Sequence, residues 1–497
     1  MPFASDAVPP SLSTLPLRFD FLHFSSLLML PWLICLLLLY LTTWLTIPSV
    51  LLSSKRPASM VAWIGATVIL PFLGPLLYLF FGSDRLRRKR LQRRGDVDRS
   101  SKKENPNSSP EFDLTTEEQA LVRGVTTTNC NRLSGLDEIE ILPDESYFDA
   151  LLAKIESAQH HIHFQTYVWR NDEVGRTFLA ALCHAARRGV EVRLLVDELG
   201  SFETKDEFFG PLLEAGGEFS WSYTLHPRRN RYFLNLRNHR KLQLIDGKQA
   251  FIGGMNVGRE YLGRDPEVGD WHDLQVRLTG AALNGLQEIF LNDWFFATQR
   301  KVEADAYYRA PDHASSIPAA FVESGPDSDR KPFLKSVLLL CGFARENIDL
   351  FTPYFVPTSE LVAAFQIAAA RGVRVRLMVS EKNDHRFLVK IGRSYYETLM
   401  EFGVEIYEYA EAVHHAKVII ADQRWLMVGS ANLDARSIDL NFELNILMRA
   451  PATCVELAKT YDAMFAASNR IDLATFRNRS RRQKIVEGLS RLWAPLL

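Results

Sequence analysis

The sequence predicts an α/β fold of two similar halves, with mixed sheets flanked by helices and a pseudo-two-fold relation, preceded by an N-terminal two-helix transmembrane hairpin. Three observations predict it: two long uncharged apolar runs, a repeated strand–helix–strand pattern, and a short motif with histidine and lysine that occurs twice. A chain of 497 residues has room for about two to four domains. The expected boundaries are 1–23 for an N-terminal tail, 24–82 for the hairpin, 83–115 for a basic juxtamembrane segment and linker, 116–325 and 326–475 for the two halves, and 476–497 for a basic amphipathic C-terminal tail.

Composition argues against two classes of protein. The 58 basic and 59 acidic residues give a net charge of −1, so the chain does not bind polyanions through its bulk charge, and any basic surface must be local. The cysteines are odd in number and contain no CxxC pair, which disfavours a disulfide framework and a thiolate zinc site. They are Cys35, Cys130, Cys183, Cys341 and Cys454.

The two apolar runs predict the hairpin. Residues 24–52 and 58–82 contain no charged side chain, and each run exceeds the roughly 20 residues that cross a bilayer as a helix. Lys55 and Arg56 lie between them. A signal peptide is a weaker interpretation of the first run, because a basic start and a small-residue cleavage site are missing. A pair of buried soluble helices is weaker still, since both runs are long and uniformly apolar.

A basic cluster follows the second run and predicts the topology. Cationic residues beside a span stay on the cytoplasmic side, so the N-terminus and everything after the hairpin are expected to face the cytoplasm. The cluster is either a topology signal alone or a binding site for anionic headgroups. Its members are Arg85, Arg87, Arg88, Lys89, Arg90, Arg93 and Arg94. The polar residues 95–115 are typical of a flexible linker.

An internal repeat predicts the two α/β halves. The sequence RGVEVRLLV at 188–196 returns as RGVRVRLMV at 371–379. Each copy follows a stretch with helical periodicity, at 174–186 and 359–370, and each of those follows a segment rich in strand formers, at 161–169 and 347–355. Strand, helix and strand at this spacing form a βαβ unit with parallel pairing.

The second repeat carries the candidate chemistry. Both copies read His-x-Lys, four residues, Asp, six residues and Gly-x-x-Asn, with a constant offset of 176. His and Lys two apart on a strand point to one face, and a turn at the Asp returns the chain so that Gly-x-x-Asn lies near the His-x-Lys end. The matched pairs are His239 and His415, Lys241 and Lys417, Asp246 and Asp422, Gly253 and Gly429, and Asn256 and Asn432.

Two such motifs at one centre would supply the groups needed to cleave or form a phosphodiester. The lysines and the asparagine amides would bind the phosphate oxygens, one neutral imidazole would attack phosphorus, and the other, protonated, would donate to the leaving alcohol. This chemistry requires no metal and no cofactor. For Asp246 and Asp422, grouped with the catalytic set, a turn or fold-stabilising role is at least as well favoured.

A carboxylate should orient each histidine through its other ring nitrogen. Glu443 lies 28 residues after His415, and Asp273 lies 34 residues after His239. We therefore expect each carboxylate to serve the histidine of its own half.

The paired HxKxxxxDxxxxxxGxxN motifs resemble those of the phospholipase D superfamily. The stretches IGGMNVGREYLGRDPEVGDWHDLQVRLTG, VGSANLDARSIDLNFELN and WIGATVILPFLGPLLYLFFG resemble bacterial cardiolipin synthases, and the likeness runs from about residue 58 to the C-terminus. The resemblance implies two phospholipase D-like halves, a bacterial inner-membrane location, and phosphatidylglycerol and other anionic phospholipids as partners, with no nucleic acid. It also implies a phosphatidyl-histidine intermediate, with His239 as nucleophile and His415 as general acid, then base.

Three rival functions stay open at this point. A hydrolase of the same superfamily, either a phospholipase D or a nuclease, differs only in that water resolves the intermediate. A phosphatidyltransferase could use another alcohol as acceptor. An inactive membrane scaffold is disfavoured by the two intact motifs, and the hairpin argues against a nuclease because it holds the site at a lipid surface.

Several other segments invite a functional interpretation. His160, His161 and His163 are favoured as structural or surface residues over metal ligands, since no acidic or cysteine partner accompanies them. Strand alternation points His414 away from the site, and the role of His272 is left open. The basic and aromatic segment 228–240 is either a guide for anionic lipids or a solvated loop. For 476–497, a membrane-surface helix is favoured slightly over one that packs on the body.

Overall fold

The computed structural model describes residues 34, 37–38, 40–53, 57–82, 112–129, 132–222, 236–302, 305–308, 315–327, 330–382, 386–492 and 494. The tail 1–23, the cluster 85–94, the linker as far as 111, and 228–235 of the basic and aromatic segment lie outside these residues. The chain divides into two compact units, Met1–Arg85 and Leu86–Leu497.

The described residues of the first unit are helical. Residues 40–51 form a helix, followed by α1 (Pro57–Ile69), α2 (Leu73–Leu77) and a π-helical turn at Tyr78–Gly82. Large apolar side chains lie on its surface, and Leu52 and Ile69 are 84% and 78% exposed. Among the described residues, no helix has both the length and the apolar character needed to cross a membrane.

The second unit alternates strands and helices. Its helices are α3 (Thr116–Asn129), α4 (Glu145–Ser157), α5 (Glu173–Arg187), α6 (Gly210–Glu214), α7 (Leu283–Thr298), α8 (Pro332–Phe343), α9 (Ser359–Ala370), α10 (Arg386–Met400), α11 (Ala435–Asp439), α12 (Pro451–Ala467), α13 (Leu473–Arg477) and α14 (Arg481–Arg491). Short 3₁₀ turns lie at Asp206–Phe209, Arg259–Leu262 and Asp305–Tyr307.

Its strands have the following bounds. They are β1 (Ser134–Leu136), β2 (Glu138–Pro143), β3 (His161–Thr166), β4 (Glu191–Val196), β5 (Glu218–Trp221), β6 (Arg237–Asn238), β7 (Leu242–Ile245), β8 (Gln249–Gly253), β9 (Trp271–His272), β10 (Leu274–Thr279), β11 (Ile317–Ser324), β12 (Asn347–Thr352), β13 (Phe355–Val356), β14 (Arg374–Ser380), β15 (Glu405–Tyr409), β16 (Val413–His414), β17 (Val418–Ala421), β18 (Trp425–Gly429), β19 (Leu433–Asp434), β20 (Asn441–Arg449) and β21 (Asn469–Arg470).

Two mixed sheets have the same topology. Sheet I runs β2-β10-β8-β7-β3-β4-β5, and sheet II contains the matching order β11-β20-β18-β17-β12-β14-β15, with β1 and β21 added at its edges. In each sheet the strands of the βαβ unit pair in parallel, β3 with β4 and β12 with β14, whereas the hairpin of the second motif, β7–β8 or β17–β18, pairs antiparallel. The prediction of two α/β halves with mixed sheets is confirmed. Strand β11 precedes the expected boundary at 325, yet it pairs with β20 in sheet II.

The repeated RG dipeptide marks the end of the βαβ helix in each half. Gly189 and Gly372 follow α5 and α9, and both have φ of 89°. Glycine adopts this left-handed conformation without steric cost, which terminates a helix and turns the chain back to the sheet. The sequence repeat is therefore a repeat of one helix-to-strand turn.

Alternation along the motif strands divides the apolar core. Leu244 of β7 and Ile420 of β17 belong to one cluster shared by sheets I and II, whereas Ile245 and Ile419 belong to the clusters on the opposite faces. Helices α4 and α5 cover sheet I on its far side, and α8, α9 and α10 cover sheet II. The two halves thus pack sheet against sheet around this shared cluster.

Candidate active site

His239 lies where a short strand crosses from the first half to the second. Strand β6, which immediately precedes His239, pairs in parallel with the start of β20, and His239 N donates to Phe442 O at 2.9 Å. The next residue of β20 is Glu443, and the distance from His239 Nδ1 to Glu443 Oε2 is 2.9 Å. The carboxylate holds Nδ1, which leaves Nε2 for chemistry.

His415 has the equivalent arrangement in the opposite direction. Strand β16 pairs in parallel with β9, and His415 N donates to His272 O at 2.7 Å. The distance from His415 Nδ1 to Asp273 Oδ2 is 2.6 Å. Both histidine side chains are almost covered, with 12% and 8% of their surface exposed.

The expectation that each carboxylate serves its own half is therefore wrong. Glu443 of the second half orients His239, and Asp273 of the first half orients His415. The physical reason is the backbone pairing of β6 with β20 and of β16 with β9, which inserts each histidine segment beside the carboxylate segment of the other half. Each half alone would contain a histidine without its carboxylate.

Glu443 is held by three polar side chains. Ser430 Oγ donates to Oε2 at 2.5 Å, Asn441 Nδ2 donates to Oε1 at 3.1 Å, and His239 completes the set. Burial would raise the pKa of this carboxyl, but its contacts with His239, Lys241 and Ser430 keep it below its ordinary value. Glu443 is therefore an anion at neutral pH.

The contacts of Asp273 differ from those of Glu443. Its Oδ1 accepts from Leu274 N at 2.7 Å. Burial would raise its pKa, but Lys417 and His415 hold the pKa below its ordinary value. The position that carries Ser430 in the second half is Gly254 here, and a Cβ on Gly254 would lie 2.2 Å from Asp273 Oδ1. The glycine makes room for the carboxylate.

This contact predicts the effect of Gly254→Ala. The new methyl group would displace the carboxylate that orients His415. We therefore expect turnover to fall by about tenfold or more, which is the size of loss seen when a residue that orients a metal-binding side chain is mutated. Gly342→Ala on α8 is the matched control, because nothing lies within 4 Å of its Cβ position. Steady-state rates and thermal melts of both variants check this, and a fully active Gly254→Ala variant would contradict it.

The two lysines lie beside their own histidines. Lys241 Nζ donates to His239 O at 2.8 Å and lies 5.2 Å from the centre of the Tyr167 ring. Lys417 Nζ lies 2.8 Å from His415 Nδ1. Burial lowers the pKa of Lys241 well below its ordinary value, and Lys417 contributes to this. Since an anion would favour the protonated lysine, this site is prepared for negative charge.

Glu443 links the two motifs, because its Oε2 contacts both His239 Nδ1 of the first motif and Ser430 Oγ within the second. Burial lowers the pKa of His239 to about 4; Glu443 opposes this, while Lys241 and Lys417 add to it. Lys417 comes from the second half, so the two motifs lie within electrostatic range of each other. His239 is neutral at physiological pH, as a nucleophile requires.

The two asparagines lie at the returning ends of the motif hairpins. Asn256 Oδ1 accepts from Val168 N at 3.1 Å, and its Nδ2 donates to the Tyr261 hydroxyl at 2.8 Å. Asn432 is also buried, and its Oδ1 has no hydrogen-bond partner among the described residues. An unpaired buried amide oxygen is costly unless a ligand or water binds it.

Asp246 and Asp422 lie at the other end of the motif strands. Asp246 accepts from the backbone N–H groups of 159, 160 and 161 at 2.9, 2.7 and 3.0 Å. Asp422 accepts equivalently from 345, 346 and 347 at 2.9, 2.8 and 3.0 Å. Asp246 lies five positions after Lys241, which along an extended strand is about 16 Å. These contacts favour the fold-stabilising role over the catalytic one, because each aspartate ties a turn to the start of the neighbouring strand.

Sequence reasoning missed two residues whose side chains accept hydrogen bonds from the backbone just before each motif histidine. Asp197 Oδ2 accepts from Asn238 N at 2.9 Å, and Ser380 Oγ accepts from His414 N at 3.0 Å. Both follow the repeated RGV…V segments directly, so the aligned repeat was the available signal. Burial raises the pKa of Asp197 to about 6. Tyr167, whose ring centre lies 4.8 Å from that of His239, had no such signal.

The remaining histidines lie outside the pair. His414 is buried against the rings of Phe351 and Tyr461, as alternation predicted. His272 Nδ1 lies 3.0 Å from Asp144 Oδ2, and Asp144 Oδ1 accepts from Asp273 N at 3.0 Å. His163 is buried between Gln287 and Arg193, stacked on Phe290. The described residues contain no cluster of three or more histidine, cysteine or acidic side chains that could hold a metal ion.

Family models match both units. Residues 151–294 and 341–469 match the model described as "Cardiolipin synthase, PLD-like domain". Residues 31–83 match the model described as "Phospholipase_D-nuclease N-terminal".

Two bacterial proteins illustrate the similarity to curated sequences. A "Cardiolipin synthase" of Clostridium perfringens strain SM101 is 33% identical over 89% of this chain and 95% of its own length. The "Major cardiolipin synthase ClsA" of Bacillus subtilis strain 168 is 33% identical over 90% of this chain and 96% of its own length. Among solved structures, phosphatidylserine synthase of Haemophilus influenzae has the same fold, with a TM-score of 0.59 and 15% identity over 76% of this chain and 97% of that one.

Proposed function

The chain belongs to the family of cardiolipin synthases with phospholipase D-like domains, and we propose that it transfers a phosphatidyl group from one phosphatidylglycerol to another, giving cardiolipin and glycerol. The observation that carries the proposal is the pair of histidines, each held at Nδ1 by a carboxylate of the other half. In the proposed reaction, these two imidazoles act on a single phosphorus atom from opposite sides.

In the first step, His239 Nε2 attacks the phosphorus of the donor lipid. A bond forms between nitrogen and phosphorus, the bond to the glycerol oxygen breaks, and protonated His415 gives that oxygen a proton. Lys241, Lys417, Asn256 and Asn432 bind the non-bridging oxygens, whose charge otherwise repels a nucleophile. Glu443 stabilises the positive charge that develops on His239.

In the second step, a terminal hydroxyl of the second phosphatidylglycerol displaces His239. Neutral His415 accepts the hydroxyl proton as the new phosphorus–oxygen bond forms and the phosphorus–nitrogen bond breaks. Asp273 stabilises the resulting imidazolium. The site returns to its starting protonation state, and one phosphodiester has replaced another.

The acid limb of the pH profile is a test of this assignment. Because burial lowers the pKa of His239 to about 4, the nucleophile stays neutral as pH falls below the ordinary histidine value of about 6.5 and is lost only as pH falls through about 4. The value of kcat/KM reports on the free enzyme. We therefore expect it to stay constant as pH falls through about 6.5, where a histidine with an ordinary pKa would become protonated. Initial rates after brief acid exposure measure it, with recovery at neutral pH as the control. An acid limb near the ordinary value would contradict the assignment.

The transfer itself is tested with the purified full chain in detergent. Phosphatidylglycerol as sole lipid should give cardiolipin and glycerol in equal amounts. Phosphatidic acid as the main product would instead establish a phospholipase D-type hydrolase, and a product formed only with another added alcohol would establish a different acceptor. Turnover should survive a chelator, since the proposed chemistry uses side chains alone, and strong inhibition would overturn that mechanism.

The N-terminal residues are proposed to anchor the enzyme in the bacterial inner membrane as a two-span hairpin. The support is the absence of charge from 24–52 and 58–82, the exposure of Leu52 and Ile69, and the family match at 31–83. The basic residues 85–94 would keep the catalytic halves on the cytoplasmic side. Protease accessibility of inside-out vesicles tests the orientation.

A further inference from the structure

Helix α14 turns polar side chains toward the protein and apolar side chains toward the outside. Glu487 and Ser490 face the protein and are buried, with 7% and 6% of their surface exposed. Ile485, Leu489 and Leu492 face outward, 61%, 57% and 73% exposed. At about 100° per residue, these three lie within about 60° of one another and roughly opposite the buried pair. A helix folded only to complete this core would show the opposite pattern.

The helix is fixed to the body at its start. Ser480 and Gln483 form a capping box. Arg479 joins Glu487 at 2.8 Å and Glu397 of α10 at 3.0 Å, and its guanidinium lies 4.0 Å from the centre of the Phe476 ring. The outward apolar stripe is therefore held in place by polar contacts on the other face.

Basic side chains border the stripe. Those of Arg481, Arg482 and Lys484 are exposed, whereas the guanidinium of Arg491 lies 4.3 Å from the centre of the Tyr395 ring on α10. The acidic residue within α14 is Glu487, and Arg479 neutralises it. The outer surface of the helix thus combines an apolar ridge with three positive charges, as in helices that lie in a membrane interface.

We propose that α14 docks the catalytic body on an anionic lipid surface, with Ile485, Leu489 and Leu492 inserted below the headgroups and the basic residues among the phosphates. A protein partner is the weaker occupant, because a ridge of a few side chains is small against the roughly 800 Å² that each partner buries in a standard interface. The proposal is independent of the reaction proposed above and concerns a second attachment besides the N-terminal residues.

The test places a nitroxide label on the ridge of the full chain. Leu489→Cys is labelled after Cys35 and Cys130 are replaced by serine; the other cysteines, Cys183, Cys341 and Cys454, are buried. Val455→Cys on α12, whose side chain is 44% exposed, is the matched control. The chain is reconstituted into phosphatidylcholine vesicles with and without phosphatidylserine, an anionic lipid that lacks the glycerol headgroup of the proposed substrate.

With phosphatidylserine present, the label at 489 should collide several-fold less with a water-soluble nickel chelate, and more with oxygen, than the label at 455. Replacing Arg481, Arg482 and Lys484 by glutamine should weaken docking by about fivefold per charge and return the label to water. Equal accessibility at 489 and 455 would overturn the proposal, as would protection without anionic lipid. Protection that depends on protein concentration would instead identify a second copy of the chain as the occupant.

Discussion

Alanine at His239 or at His415 is expected to lower the turnover of phosphatidylglycerol by several orders of magnitude, as in other enzymes with a covalent intermediate. Without His239 the lipid phosphorus has no nucleophile. Without His415 the glycerol oxygen leaves without a proton, and the acceptor hydroxyl loses its base. His184→Ala on α5 is the matched control, because His184 is exposed and should be replaceable without effect.

A donor with a better leaving group separates the two roles. With a phosphatidyl ester of p-nitrophenol, departure needs little help from an acid, so His415→Ala should still release a burst of about one p-nitrophenol per enzyme. His239→Ala should release none. A burst from His239→Ala and none from His415→Ala would reverse the assignment, and near-normal phosphatidylglycerol turnover in either variant would end the paired-histidine mechanism.

The crossed carboxylates give the second large effect. Glu443→Gln and Asp273→Asn should each reduce turnover by about three to four orders of magnitude, the loss seen when the carboxylate orienting a catalytic histidine becomes an amide. An amide that donates to Nδ1 favours the wrong tautomer and cannot stabilise an imidazolium. Each variant should fold, because charge is removed with little change in shape, and thermal melts check this.

The chromogenic donor also tests which carboxylate serves which histidine. If the pairing in the structure holds, Asp273→Asn behaves like His415→Ala and keeps the burst, whereas Glu443→Gln behaves like His239→Ala and loses it. Pairing within each half predicts the reverse. The experiment therefore distinguishes the crossed arrangement from the one that sequence order favours.

Because each histidine is oriented by a carboxylate of the other half, both halves are needed to form either pair. Strand β6 reaches β20, and β16 reaches β9, so neither half contains a complete histidine–carboxylate pair. Arg240, between His239 and Lys241, strengthens the connection. It is fully buried and binds Asp293 of α7 and Glu323 of β11 at 2.8 Å each. Breaking such a buried network by removing one partner costs about 3–5 kcal/mol.

Much of the site follows from local pattern. The repeated motif at an offset of 176 predicts that His and Lys share a strand face and that the hairpin returns the asparagine, because strand periodicity and turn chemistry are properties of consecutive residues. The repeated RGV segments predict the βαβ units for the same reason. The rejection of His414 from the site also followed from alternation.

The sequence by itself determined the two motifs, the strands that carry them and the chemistry they suit. Only the tertiary structure decided that Glu443 belongs to His239 and Asp273 to His415, that Asp246 and Asp422 bind backbone at the far end of the strands, and that Tyr167 lies beside the nucleophile. The pairing of residues 237–239 with 441–443 joins segments about 200 positions apart. Such contacts depend on how two whole sheets pack against each other, and no local periodicity records that packing.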